Sequence, residues 1–241
     1  MLPEVTYPSE HRDTSELVNL SIDLLKAVKS ESGTEVFRTR LEDFRLETLE
    51  KRLSDDNLRM VFWLNIYNAW YQILAQEVKL ERPGIFTYRR IRFKDFNLSL
   101  DDIEHGILRR YRSKFSLGYL PQFFPDPVIK ALAVSRLDYR IHFALNCGAK
   151  SCPPIQIFEP ALLNQQLDLS AERFLVLESQ IDPTRSVVYT TRLMQWFYAD
   201  FRGSRGQRKI LSRYLKTDLN RFRIYYRDYD WTDQLMNFGI Q

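Results

Sequence analysis

Apolar residues recur at helical spacing through residues 14–29, with Leu17, Leu20, Leu24, Leu25 and Val28 on one stripe, and predict an amphipathic helix. The stretch that follows, to about residue 54, alternates charged residues with Leu and Phe and fits neither the helical nor the strand period. Asp55 or Asp56 then stands where an N-cap is wanted, ahead of a run from 59 to about 78 that is apolar almost all round. A helix of that kind belongs in the middle of a core. Residues 86–98 alternate aromatic and basic side chains and read as a strand pair, and Ser99-Leu-Asp-Asp102 has capping-box spacing, with Asp where Glu is usual. A helix through Glu104, His105 and Arg109 follows from it. Further along, the pattern predicts a short helix at 127–133, a buried strand around His142 and a helix opened by Pro160 that runs to about 177. It then predicts a strand at 186–190, helices at 194–201 and 207–216, and a closing strand at 221–229. Helices dominate and strands are few. The expectation is an α+β fold: a helix-rich single domain over residues 1–241, with a small mixed or antiparallel sheet and a central apolar helix.

Composition supports a substantial core, at 44% apolar and 14% aromatic residues. Eight Gly, ten Pro and no repeat argue against linkers and solenoids. The net charge of +4 says little until it is located. Residues 201–227 carry nine Lys or Arg against one acid, Asp218, so the rest of the chain is net −4. A basic amphipathic helix at Arg208, Lys209, Arg213 and Lys216 can meet nucleic-acid phosphate or an anionic membrane surface, or can simply pack its apolar stripe on the core and leave its charges solvated. The N-terminus shows no basic start followed by an apolar core, and no apolar run approaches the ~18 residues that span a bilayer. These features predict a cytoplasmic protein whose two cysteines are reduced at rest.

Both cysteines and one of three histidines fall in RIHFALNCGAKSCPP (140–154), an apolar run entering a Gly- and Pro-containing turn. Functional sites are built in loops fixed by a rigid element. On a regular strand Arg140, His142, Ala144 and Asn146 would share one face, and Ile141, Phe143, Leu145 and Cys147 the other. Cys152 lies beyond the turn, where the chain can return it toward His142; Lys150 or His142 could lower the pKa of a thiol there. Structural cysteines remain the alternative. On the central helix Asn65 and Asn68 are neighbours, with Gln72 one turn on, and buried amides must find partners. They tie the helix to a buried loop or floor a polar pocket. His105 has Asp101 and Asp102 one turn before it and Arg109 one turn after, which is either an ion-pairing surface or a carboxylate–histidine general-base pair. No HxxxH or HExxH spacing occurs, and the Cys-x4-Cys pair has no second pair, so neither a metal site nor a cofactor is predicted.

Four segments resemble the domain of unknown function 547 family: FWLNIYNAW (62–70), LSLDDIEHGILR (98–109), RIHFALNCGAKSCPPIQIF (140–158) and YDW (229–231). WFYADF (196–201) fits the same pattern, so the resemblance runs from about 61 to 231 and leaves residues 1–60 as an N-terminal helical extension. The resemblance implies no reaction and no cofactor. It implies candidate site positions at Asn65, Tyr67, Asn68, Asp102, His105, His142 and the Cys147–Cys152 loop. Related domains are joined to leucine-zipper, DEP or glutaredoxin-like segments, which implies a module working beside signalling or redox domains.

The reading that joins these clues is one pocket for thiol- or His-assisted hydrolysis or acyl transfer. Cys147 or Cys152 would be the nucleophile and His142 or His105 the base, with Asn65 or Asn68 orienting the imidazole or donating to an oxyanion. Asp102 would support His105. The alternative is a non-catalytic module whose basic quarter binds a protein, a membrane or nucleic acid. A third reading is redox sensing through a Cys147–Cys152 disulfide.

Overall fold

The computed structural model describes residues 9–239, with side chains from residue 16 onward; the extreme N-terminus read above lies outside the described residues. Helix α1 (Ser9–Lys29) begins earlier than expected and lays its buried Leu17, Leu20, Leu24, Leu25 and Val28 along α4 (Asp56–Gln76). The segment that fitted no period forms two short helices, α2 (Glu35–Glu42) and α3 (Leu46–Arg52), too short for periodicity to show. They sink Leu41 and Leu49 into the core. Asp55 caps α4 by accepting a hydrogen bond from the Leu58 N–H at 3.0 Å. Every residue from Met60 to Leu74 is buried, as an all-round apolar helix requires.

After the single-turn helix α5 (Gly84–Thr87), the expected strand pair shrinks to a two-residue antiparallel ladder, β1 (Ile91–Arg92) with β2 (Asn97–Leu98). The capping box forms as the spacing predicts. The Ser99 N–H donates to Asp102 Oδ2 at 2.9 Å and the Asp102 N–H to Ser99 Oγ at 3.1 Å. The helix it starts is wide: residues Asp102–Leu108 are π-helical, with Arg109 N–H donating to Glu104 O and Tyr111 N–H to Gly106 O, five residues back.

The expected His142 strand is absent. A 3-10 helix, Tyr139–Phe143, stands there between α6 (Pro127–Leu132) and α7 (Leu163–Glu178). Asp138 starts it by accepting from the Arg140 N–H, and i to i+3 bonds continue it through Ala144. Residues 141–146 are all buried, so no alternation of faces exists. A short, wholly apolar run carries no periodicity that separates strand from helix.

The C-terminal part forms a three-stranded mixed sheet. β4 (Val187–Thr190) is central, antiparallel to β3 (Gln180–Asp182) and parallel to β5 (Arg223–Tyr226). α8 (Leu193–Trp196) is a single turn, and α9 (Gly203–Leu215) buries Ile210, Leu211 and Tyr214 while its basic side chains face outward. The fold is helix-rich α+β, with two small sheets where one was expected. One hydrophobic cluster surrounds α4 and a second surrounds Phe143, α7 and α9. They meet at the 3-10 helix, where Ile141 and Ala144 join the first and Phe143 the second. Beyond β5 the chain runs back over the cysteine loop and pairs with it through Lys150 N–H to Thr232 O, Gln234 N–H to Gly148 O and Ile155 N–H to Asn237 O. Among the described residues no helix is long and apolar enough to cross a membrane.

Candidate active site

Three amides of α4 hold the site's framework. Asn65 accepts from the Phe158 N–H and donates to the Phe158 carbonyl, both at 2.9 Å. One turn on, Asn68 donates to the Ala144 carbonyl and accepts from the Asn146 N–H. Gln72 reaches Asn146 Oδ1 and accepts from the Met236 N–H. Asn146 continues the ladder to the Pro153 carbonyl and the Gly148 N–H. Loop backbone that would otherwise be buried without partners is thus satisfied by one helix face. Gly148 turns left-handed at φ +69°, and a Cβ there would run into the Tyr71 ring.

His142 sits on this frame, fully buried, with Nε2 2.9 Å from Asp200 Oδ2. A carboxylate only accepts, so Nε2 carries the proton and Nδ1 is the lone-pair nitrogen. The ring stacks on Phe197, centroids 3.9 Å apart. The buried Arg109 guanidinium binds the same Asp200 oxygen through Nε at 2.6 Å and crosses to His105 Nδ1 at 2.8 Å. Burial alone would raise the Asp200 pKa, but the hydrogen bonds from His142 and Arg109 hold it below the usual carboxylate value. Arg109 therefore already balances that charge. Burial pushes the His142 pKa down, outweighing the pull of Asp200. His142 is neutral and oriented, with its lone pair on Nδ1.

His105 is a different case. Arginine can only donate, so His105 Nδ1 accepts from Arg109 and is occupied. Burial, then Arg109, lowers its pKa to about 3. Its neighbour Glu104 accepts a hydrogen bond from the Tyr67 hydroxyl at 3.1 Å, and burial raises the Glu104 pKa despite nearby His142 and Arg109.

Cys147 and Cys152 are joined in a disulfide, so the expectation of two resting thiols is not met in this structure. The sulfurs lie 3.3 and 3.1 Å from the Tyr229 hydroxyl. Cys152 is buried and Cys147 partly open. Tyr229 packs with Trp196 and Trp231 in a cluster of three mutually contacting rings, and Arg82 ties the loop to the tail by donating to the carbonyls of Cys147 and Trp231. The disulfide, Tyr229, Tyr67, Glu104, His105 and His142 line a cavity of about 170 Å³ whose remaining wall is aromatic and apolar.

The structure brings the expected His142, His105, Tyr67, Cys147 and Cys152 into one cavity. Asn65 and Asn68 stand behind it with their amides committed to loop backbone. Asp102 stays at the helix start, bonded to Ser99 and paired with Arg89 at 3.0 Å. Sequence reasoning missed Glu104, Arg109, Asp200 and Tyr229 as site residues, although each lies in a segment singled out for other reasons. Asp200 is the one acid in WFYADF and Tyr229 opens YDW. Among the described residues no cluster of three or more His, Cys, Asp or Glu could hold a metal ion.

The family model described as "Protein of unknown function, DUF547" matches residues 51–175, more than half of the chain, and the chain belongs to that family. The matched stretch carries α4, the π-helical turn and the cysteine loop, whereas Asp200 and Tyr229 lie beyond it. No curated protein and no solved structure matches the chain.

Proposed function

We propose that this member of the family is a thiol-dependent acyl-transfer or hydrolytic enzyme for small substrates, with His142 as general base and Cys147 as nucleophile. The observation that carries the reading is that a carboxylate-oriented neutral histidine and the cysteine pair line the same cavity. A thiol reductant opens the disulfide and is itself oxidised to a disulfide. His142 Nδ1 then takes the Cys147 proton, and the thiolate sulfur bonds to the carbonyl carbon of a small ester or thioester. The leaving alkoxide or thiolate departs with a proton from His142, leaving a thioester on Cys147. Water activated by His142 cleaves that thioester to the acid, or an alcohol or amine takes the acyl group. Tyr229 donates to the thiolate, and Glu104, protonated more readily than an ordinary carboxyl, supplies a second proton source.

Reduced protein incubated with p-nitrophenyl acetate is expected to take up one acetyl group on Cys147, read by intact and peptide mass spectrometry. Cys147→Ser abolishes the adduct and His142→Gln slows its formation by about 100-fold or more. Failure of the reduced wild type to acylate, or equal acylation of Cys147→Ser, overturns the reading. The second reading is thiol–disulfide exchange, favoured by a disulfide that shares its cavity with the Glu104 carboxyl. It predicts turnover with a dithiol and an oxidant and no acyl adduct.

A further inference from the structure

Residues 110–125 (RYRSKFSLGYLPQFFP) contain three basic residues and no acid. They form a projecting loop in which Phe124 is 97%, Phe115 87% and Phe123 78% exposed, with Tyr119 and Leu120 also more than half open. Scattered exposed apolar residues need no explanation, but several large ones on one loop mark an interaction surface. The loop is held in shape. Ser113 N–H donates to Leu120 O, Ala199 N–H donates to Leu117 O and Arg112 donates to Gly118 O. Arg110, Tyr111, Leu117 and Gly118 all take left-handed backbone angles, an arrangement that costs energy at the three non-glycine positions and marks functional segments.

Beside the loop opens a cleft of about 540 Å³ lined by Arg110, Arg112, Arg136 and Arg202. Its one carboxylate, Asp200, is already engaged by Arg109, His142 and, at 3.6 Å, Arg112. Arg110, Arg136 and Arg202 have no ion-pair partner among the described residues. Phenylalanine side chains projecting next to unpaired guanidinium groups match the two layers of an anionic lipid leaflet. Apolar rings enter the acyl boundary and cationic groups meet the headgroup phosphates. We propose that the 110–125 loop and this cleft dock the protein on an anionic membrane surface, with Phe115, Phe123 and Phe124 inserting and Arg110, Arg136 and Arg202 contacting lipid phosphate. This surface adjoins the start of α9, where Arg136 and Arg202 also line a pocket with Lys209 and Arg213.

Flotation tests this with the full chain and two sets of vesicles: phosphatidylcholine alone, and three parts phosphatidylcholine to one part phosphatidylserine. The wild type is expected to float with the mixed vesicles and remain behind with the neutral ones. Phe123→Ser/Phe124→Ser and Arg110→Gln/Arg136→Gln, each with an unchanged melting temperature, lose affinity for the mixed vesicles by about tenfold or more. Absence of the wild type from the mixed-vesicle fraction overturns the proposal. So does equal binding to neutral vesicles, or wild-type binding by both double variants, which would assign the contact to another surface or a protein partner.

Discussion

Asn65 satisfies a backbone donor and a backbone acceptor of the same residue, Phe158, and both residues are fully buried. Its loss strands both groups, and each unsatisfied buried group costs roughly 1–3 kcal/mol. Asn65→Ala is therefore expected to lower stability by about 2–4 kcal/mol in urea unfolding, with reduced-state acylation of Cys147 surviving wherever the protein is folded. An Asn65 that served as oxyanion donor would show the reverse, near-normal stability with lost acylation. That buried amides on α4 need partners was legible in the sequence, because asparagine is a poor helix former set in an apolar run. Their partners were not. Phe158 lies 93 residues away, and Asp200 lies 58 residues from His142. No local pattern links such pairs.

At the scale of elements, the wide turn of Asp102–Leu108 sets the electrostatics of the pocket by pressing Glu104 and His105 inward. The folded state keeps His105 neutral down to about pH 3, whereas the unfolded chain protonates it below about 6.5. A depressed histidine pKa means that stability is complete above the unfolded value and is lost as the pH falls between these limits. The loss amounts to about 1.4 kcal/mol per pH unit from this one group. His105→Gln, whose carbonyl can still accept from Arg109, is expected to flatten the fall in stability between pH 6 and pH 4, measured by urea unfolding at each pH. An unchanged slope would contradict a buried neutral His105. The capping box announced the start of this helix, but nothing in the residue types announced hydrogen bonds reaching five residues back. The 3-10 helix at Tyr139–Phe143 was misread for a related reason: burial on all sides erases the alternation by which a strand is recognised.

Across the whole molecule, the cavity lies near the 3-10 helix that joins the two hydrophobic clusters, and the C-terminal tail closes it. Tyr67, Glu104, His105, His142 and both cysteines fall within the stretch matched to the family; Leu193, Trp196, Phe197, Tyr229 and Trp231, together with the Asp200 that orients His142, come from beyond it. The four segments resembling the family therefore marked the site more fully than the local pattern did, since they included the tail that covers the cysteine loop. In the proposed function His142 and the reduced cysteines act as one chemical unit. The most direct measurement is the pH dependence of iodoacetamide labelling at Cys147 and Cys152 in the reduced native protein, compared with His142→Gln by peptide mass spectrometry. Rapid labelling of Cys147 is expected, with an apparent pKa well below the ~8.5 of free cysteine that rises toward that value in the variant. Slow labelling of both thiols, with the same profile in wild type and His142→Gln, would contradict it.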